Sequence, residues 1–173
     1  EEVGLLRILV SYSVLFSQFA GLGINSITVK LFPFFRDPHK KHHGYLGLAL
    51  LISFVGLIIA ISAFILLKGF ILSGKNEDNE LFASYFYYII PLIIFTLLFN
   101  VFDTYYRVLY NAVKGIIYKE VIQRILILIV IALYFFQVVD FHYAVIFYCS
   151  ALILPTILLF FSLIYNKKLL IVT

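Results

Sequence analysis

The residues best suited to chemistry lie between Asn100 and Arg124. Asn100, Asp103, Arg107, Asn111 and Lys114 follow one another at intervals of three or four, the spacing that aligns side chains on one side of an α-helix. The other side carries Phe102, Tyr105, Tyr106, Leu109, Val113 and Ile116, so the segment reads as an amphipathic helix leaving an apolar environment. Asp103 stands four residues before Arg107, and Glu120 four before Arg124, the order that favours an ion pair. Two readings stand. The charges are solvated at a membrane surface, or they line a polar vestibule where Arg107, Lys114 and Arg124 attract a lipid phosphate or pyrophosphate.

Polar residues also interrupt the first apolar run, at Arg7, Gln18 and Asn25, with Gly21 and Gly23 flanking a break in GLGIN. Polar groups at membrane depth are costly and usually face protein or water, although Arg7 is near enough to an end to snorkel. His39, His42 and His43 in PHKKHH invite a metal reading. The only local carboxylate is Asp37, no Cys is near, and Lys40 and Lys41 repel a cation, so a solvated loop is the better reading and no metal is expected. Cys149 is the single Cys, which excludes a disulfide framework. No GxxxxGK[ST] loop, paired carboxylates or Ser/His/Asp set appears. Neither catalysis nor a cofactor is expected.

These residues sit in a chain of 173, of which 64% is hydrophobic and 13% charged, with mean hydropathy +1.08. A soluble domain of this size cannot hide so much apolar surface, so the excess faces lipid. A soluble enzyme, a disordered chain and a nucleic-acid-binding module are excluded. Five runs are long enough to cross a hydrocarbon core of about 30 Å as helices: Val3 to Val29, Tyr45 to Leu67, Leu81 to Phe102, Val121 to Val139 and Phe141 to Tyr165. Membrane strands would alternate polar and apolar positions, whereas RILILIVIALYFF is apolar on every side. The expected fold is all-α and polytopic. There is no Met, even at position 1, and no basic region precedes the first run, so the chain reads as a piece of a longer protein without a signal peptide.

The charges fix an expected orientation. Lys30 to Gly44 holds four cations against Asp37, Lys68 to Glu80 two Lys against three acids, and Asp103 to Arg124 four cations against two anions. Asp140 stands alone in the next connection, and Lys167 and Lys168 close the chain. By the positive-inside rule the Glu1–Glu2 end is outside, and the first, third and last of these segments are cytoplasmic. Tyrosines at the run edges, among them Tyr45, Tyr85, Tyr105 and Tyr106, read as interface anchors. Ala49, Ser53, Gly56, Ala60 and Ala63 form a small-residue stripe where another helix packs, and Pro91 should kink or loosen its helix.

Four phrases carry a resemblance: EEVGLLRILV, GLGINSITVKLFPFFRDPHKKHHGYL, YFYYIIPLIIFTLLFNVFDTYYRVLYNAV and KEVIQRILILIVIALYFF. In order and spacing they resemble the second to sixth helices of the N-terminal lobe of O-antigen (polysaccharide biosynthesis) flippases, in the multidrug/oligosaccharidyl-lipid/polysaccharide superfamily. The resemblance implies five transmembrane helices of a six-helix lobe in the bacterial inner membrane, with a periplasmic N-terminus and a cytoplasmic C-terminus. It implies export of an undecaprenyl-pyrophosphate-linked oligosaccharide by alternating access against a C-terminal lobe outside this sequence. It makes Arg7, Asn25, Asn100, Arg107 and Arg124 candidate cavity residues. A related drug or small-solute exporter is the alternative within transport. A cationic-drug pump should carry acids within its spans, whereas here every Asp and Glu reads as terminal, in a loop or at a helix end. Outside transport, a membrane scaffold or an acyltransferase using a loop His remains.

Overall fold

A computed structural model describes residues 2–35, 44–71, 78–109 and 112–165. Among them there is no strand, and the chain is an all-α polytopic membrane protein. The elements are α1 (Glu2–Ala20), α2 (Ile24–Phe35), α3 (Tyr45–Leu66), α4 (Lys68–Ile71), α5 (Asp78–Tyr85), a 3₁₀ turn (Phe86–Tyr88), α6 (Ile89–Val108), α7 (Val113–Ile116), a π-helical turn (Ile117–Ile122), α8 (Gln123–Phe135) and α9 (Phe141–Tyr165). Four stretches are long and apolar enough to cross a membrane: Val3–Ala20, Tyr45–Leu66, Phe82–Val108 and Phe141–Tyr165. Large apolar side chains such as Leu51, Phe54, Ile59, Leu128 and Phe135 point away from the interior, as lipid contact requires.

The run Val3 to Val29 is not one helix. Leu22 and Gly23 take left-handed backbone angles, φ 46° and 73°, which no helix can continue through. The chain turns there, and Ile24 N–H donates to the Gly21 carbonyl at 2.8 Å as α2 begins. The small-residue stripe explains where this break sits. Ala49, Ser53, Gly56 and Ala60 of α3 are buried, and a β-carbon on Gly56 would lie 2.1 Å from the Ala20 carbonyl oxygen. Only glycine admits that approach.

α6 is the hub of the bundle, packing against α1, α2, α3 and α9, while α8 packs on α9. The interior has two layers. In one, Phe64 stacks on Phe86 with centroids 4.4 Å apart, beside Leu5, Leu9 and Ile93. In the other, Phe32 meets Tyr45 and Tyr105 edge-on at 5.5 and 5.6 Å. Tyr45, Tyr105 and Tyr106 are therefore not interface anchors, being at most 5% exposed. Tyr45 and Tyr105 fill the space between α2, α3 and α6, Tyr106 faces α9, and the Tyr45 hydroxyl donates to Thr28 Oγ1 at 3.1 Å. Tyr85 is buried too, with its hydroxyl 3.2 Å from His142 Nδ1. Tyr87 does fit the anchor reading: it is exposed and accepts a hydrogen bond from Lys68 Nζ at 3.0 Å. Pro91 is the third residue of α6, where its missing N–H is one that the first turn leaves unpaired anyway; the backbone departs from α-geometry just upstream, at Phe86–Tyr88.

The fourth expected span differs most. The helical path through α7, the π turn and α8 begins at Val113 and ends at Phe135, earlier at both ends than Val121 to Val139. α8 has 13 residues, about 20 Å at 1.5 Å per residue, and reaches spanning length with the segment before it. Gln137 ends the path with φ 54°. Val138 N–H donates to the Leu133 carbonyl and Gln137 N–H to that of Tyr134, both at 3.0 Å, a Schellman arrangement that closes the helix. Hydropathy starts this span at Val121, after Lys114, Lys119 and Glu120 and with Arg124 at its entry. The backbone instead carries Lys114, Lys119 and Glu120 into it.

Candidate functional site

The depth of those charges follows from the pairing of this path with α9. Lys114 Nζ donates to Ser162 Oγ at 2.9 Å, Lys119 and Gln123 share a pocket with Leu152 and Thr156, and Tyr134 lies against Phe141 with centroids 6.1 Å apart. The two segments therefore run antiparallel along their whole lengths. Arg124 falls opposite the middle of α9, many residues from either end. Glu120 and Arg124 form an ion pair there, with side chains 47% and 74% exposed.

A small, mainly apolar pocket of about 100 Å³ with a few polar groups lies on the bundle side of this segment, between α1, α6, the π turn, the start of α8 and α9. It is lined by Ser13, Thr96, Phe99, Lys119, Gln123 and Thr156, with Val10, Val14 and Leu152. Lys119 Nζ stands 5.2 Å from the centre of the Phe99 ring. Ser13, Thr96 and Thr156 each lie well inside the spans Val3–Ala20, Phe82–Val108 and Phe141–Tyr165, so the pocket is at mid-depth.

The pocket floors a groove whose two sides are polar. On α1, Arg7, Ser11 and Gln18 are exposed and continue round the helix from Val10 and Val14 by its 100° steps. On the opposite side, Glu120 and Arg124 continue round from Gln123 in the same way. Beyond the polar edge of α1 the exposed residues turn apolar, at Ile8, Leu15 and Phe19. On the other side Ile125 and Ile129 are exposed and apolar round the helix from Arg124, and Leu128 is exposed and apolar one turn after it on the same face.

A second polar cluster lies between α6, α7 and α9. Asp103 is 6% exposed and pairs with Arg107 at 2.6 Å. Its Oδ1 has no hydrogen-bond partner among the described residues and occupies the place of a β-carbon on Gly115, 1.8 Å away. Nearby, Tyr106 hydroxyl and Lys114 Nζ both donate to Ser162 Oγ at 2.9 Å, and Lys114 lies over the Tyr106 ring at 5.6 Å. The expectation that every acid is terminal, in a loop or at a helix end is corrected here. Asp103 lies within α6 and Glu120 within the next helical path, each neutralised by an Arg four residues on.

The five candidate residues do not gather at one point, and none lines the mid-depth pocket. Arg7 and Arg124 lie on opposite sides of the groove. Arg107 is exposed beside Asp103, and Asn100 is half-buried in α6. Asn25 follows the α1–α2 break, its Oδ1 buried and without a partner among the described residues. Asn111 and the PHKKHH loop lie outside the described residues; among those described, no group of His, Cys, Asp and Glu could hold a metal. Lys119 escaped attention because it was counted only as a charge of the Asp103–Arg124 connection, and Gln123 because it stood at the entry to an apolar run. Their four-residue spacing, directly before an apolar run, was the available signal. Compared with models of known families, with curated proteins and with solved structures, the chain matches none.

Proposed function

We propose that this chain forms one lobe of a membrane transporter that moves an anionic, lipid-linked oligosaccharide across a bacterial inner membrane by alternating access. The observation that carries the reading is the exposed Glu120–Arg124 pair opposite the middle of α9. A charge pair facing hydrocarbon at that depth is too costly to keep, so such residues face a water-filled cavity or another protein element. The polar edge of α1 across the groove supports the same reading. The groove is then half of a substrate path, Arg7 and Arg124 are its cationic walls, and a second lobe supplies the other half. The N-terminus is periplasmic and the last helix ends in the cytoplasm, following the loop charges.

An anionic cargo is favoured over a cationic drug because Asp103 and Glu120 are each paired with an Arg, whereas Arg7 makes no ion pair among the described residues and leaves a net positive charge. The test is depletion of the protein in its cell, followed by measurement of undecaprenyl-pyrophosphate-linked glycan. Accumulation on the cytoplasmic side is expected, and no accumulation overturns the reading. Arg124→Ala should reproduce the accumulation with membrane insertion intact.

A further inference from the structure

The mid-depth pocket contains a cation that the groove-wall reading leaves unused. Lys119 makes no ion pair among the described residues, in contrast to its neighbours Glu120 and Arg124. A Lys ammonium carries three donors and no acceptor, and the groups around it are not equivalent. Ser13 Oγ donates to the Val10 carbonyl at 2.7 Å, and Thr156 Oγ1 to the Phe95 carbonyl at 2.9 Å. Their protons are spent within the protein. The Thr96 hydroxyl and the Gln123 amide line the same pocket without a hydrogen bond to any described residue, so with Lys119 they form the donor set still to be satisfied. The Lys119 segment is also the one π-helical turn among the described residues, a geometry that recurs at functional sites.

We propose that this pocket binds a single phosphate-type oxyanion, with Lys119 as its cation and Gln123 and Thr96 as neutral donors. Its volume of about 100 Å³ suits one tetrahedral oxyanion rather than a whole headgroup. The flanking Val10, Val14, Phe99 and Leu152 lower the local dielectric and strengthen a charge-assisted hydrogen bond there. The inference rests on the transport reading only in requiring the groove to be open to water or to a lipid headgroup.

The test titrates purified protein in phosphatidylcholine nanodiscs with inorganic phosphate, and compares its thermal stability in discs doped with phosphatidate. A rise in Tm in either arm is expected; phosphate alone identifies a free-ion site and phosphatidate alone a lipid-phosphate site. Lys119→Gln should weaken apparent affinity about tenfold or more, Lys119→Arg should retain it, and Lys68→Gln, remote from the pocket, should leave it unchanged. If Lys119→Gln does not fold, Gln123→Leu is measured, with a smaller loss expected. No rise in either arm, or an undiminished rise in the pocket variants, overturns the proposal. Binding is read without transport, so intact binding in a protein whose depletion causes no glycan accumulation would fault the transport reading alone.

Discussion

The bundle of α1, α3, α6 and α9 and the segment from Val113 to Phe135 obey different rules. In the bundle, closeness is set by small residues and ring stacking, and each helix buries a continuous face. In the segment, Gly115 and Val130 are the buried residues, and two cations and an ion pair lie along the length that packs beside α9. The bundle helices are held by packed faces; the segment buries little of itself and keeps Lys119, Glu120 and Arg124 opposite the middle of α9, charges that membrane depth makes costly unless they face water or protein.

The contrast breaks most visibly at Gly56. Gly56→Val places side-chain atoms where the Ala20 carbonyl lies and should cost about 3 kcal/mol, read as a lowered unfolding midpoint in detergent. A neutral result would mean that α1 and α3 do not close on each other through the helix break. Gly115→Ala displaces the Asp103 carboxylate and should cost about 1–2 kcal/mol by the same measurement. Thr156→Val removes the cross-helix hydrogen bond to the Phe95 carbonyl, worth about 0.6 kcal/mol in membrane proteins. Arg124→Ala should change stability by less than about 0.5 kcal/mol, since its pair is exposed, yet abolish the glycan export that we propose. A large stability loss there would make the pair part of the packing and erase the distinction between the two regions.

Much of the bundle was readable from sequence. The stripe Ala49–Ser53–Gly56–Ala60 is periodic because it packs, GLGIN breaks because two left-handed residues sit there, and Phe141 to Tyr165 is one helix of the expected bounds. The start of the segment was misplaced because hydropathy falls at Lys114, Lys119 and Glu120, whereas the helical backbone runs on from Val113 through them. Tyr45 and Tyr106 were misread because a hydroxyl beside Thr28 or Ser162 is as well satisfied as one in water, whereas the buried Tyr105 hydroxyl has no partner among the described residues and nothing in its spacing signals that. The pocket could not be read from any one segment, since Ser13, Thr96, Lys119 and Thr156 meet only when four elements pack.

The central claim is that Glu120 and Arg124 face water or protein at the depth of residues that face lipid. Spin labels on single cysteines at positions 120, 124, 125 and 129, in a Cys149→Ala background in bilayers, test it by collision with an aqueous nickel complex and with oxygen. Positions 124 and 125 share a depth but lie on different sides of the helix. High nickel accessibility at 120 and 124 with oxygen-dominated, lipid-like values at 125 and 129 is predicted. Equal nickel accessibility at all four positions would place the segment at a solvated interface and contradict the claim.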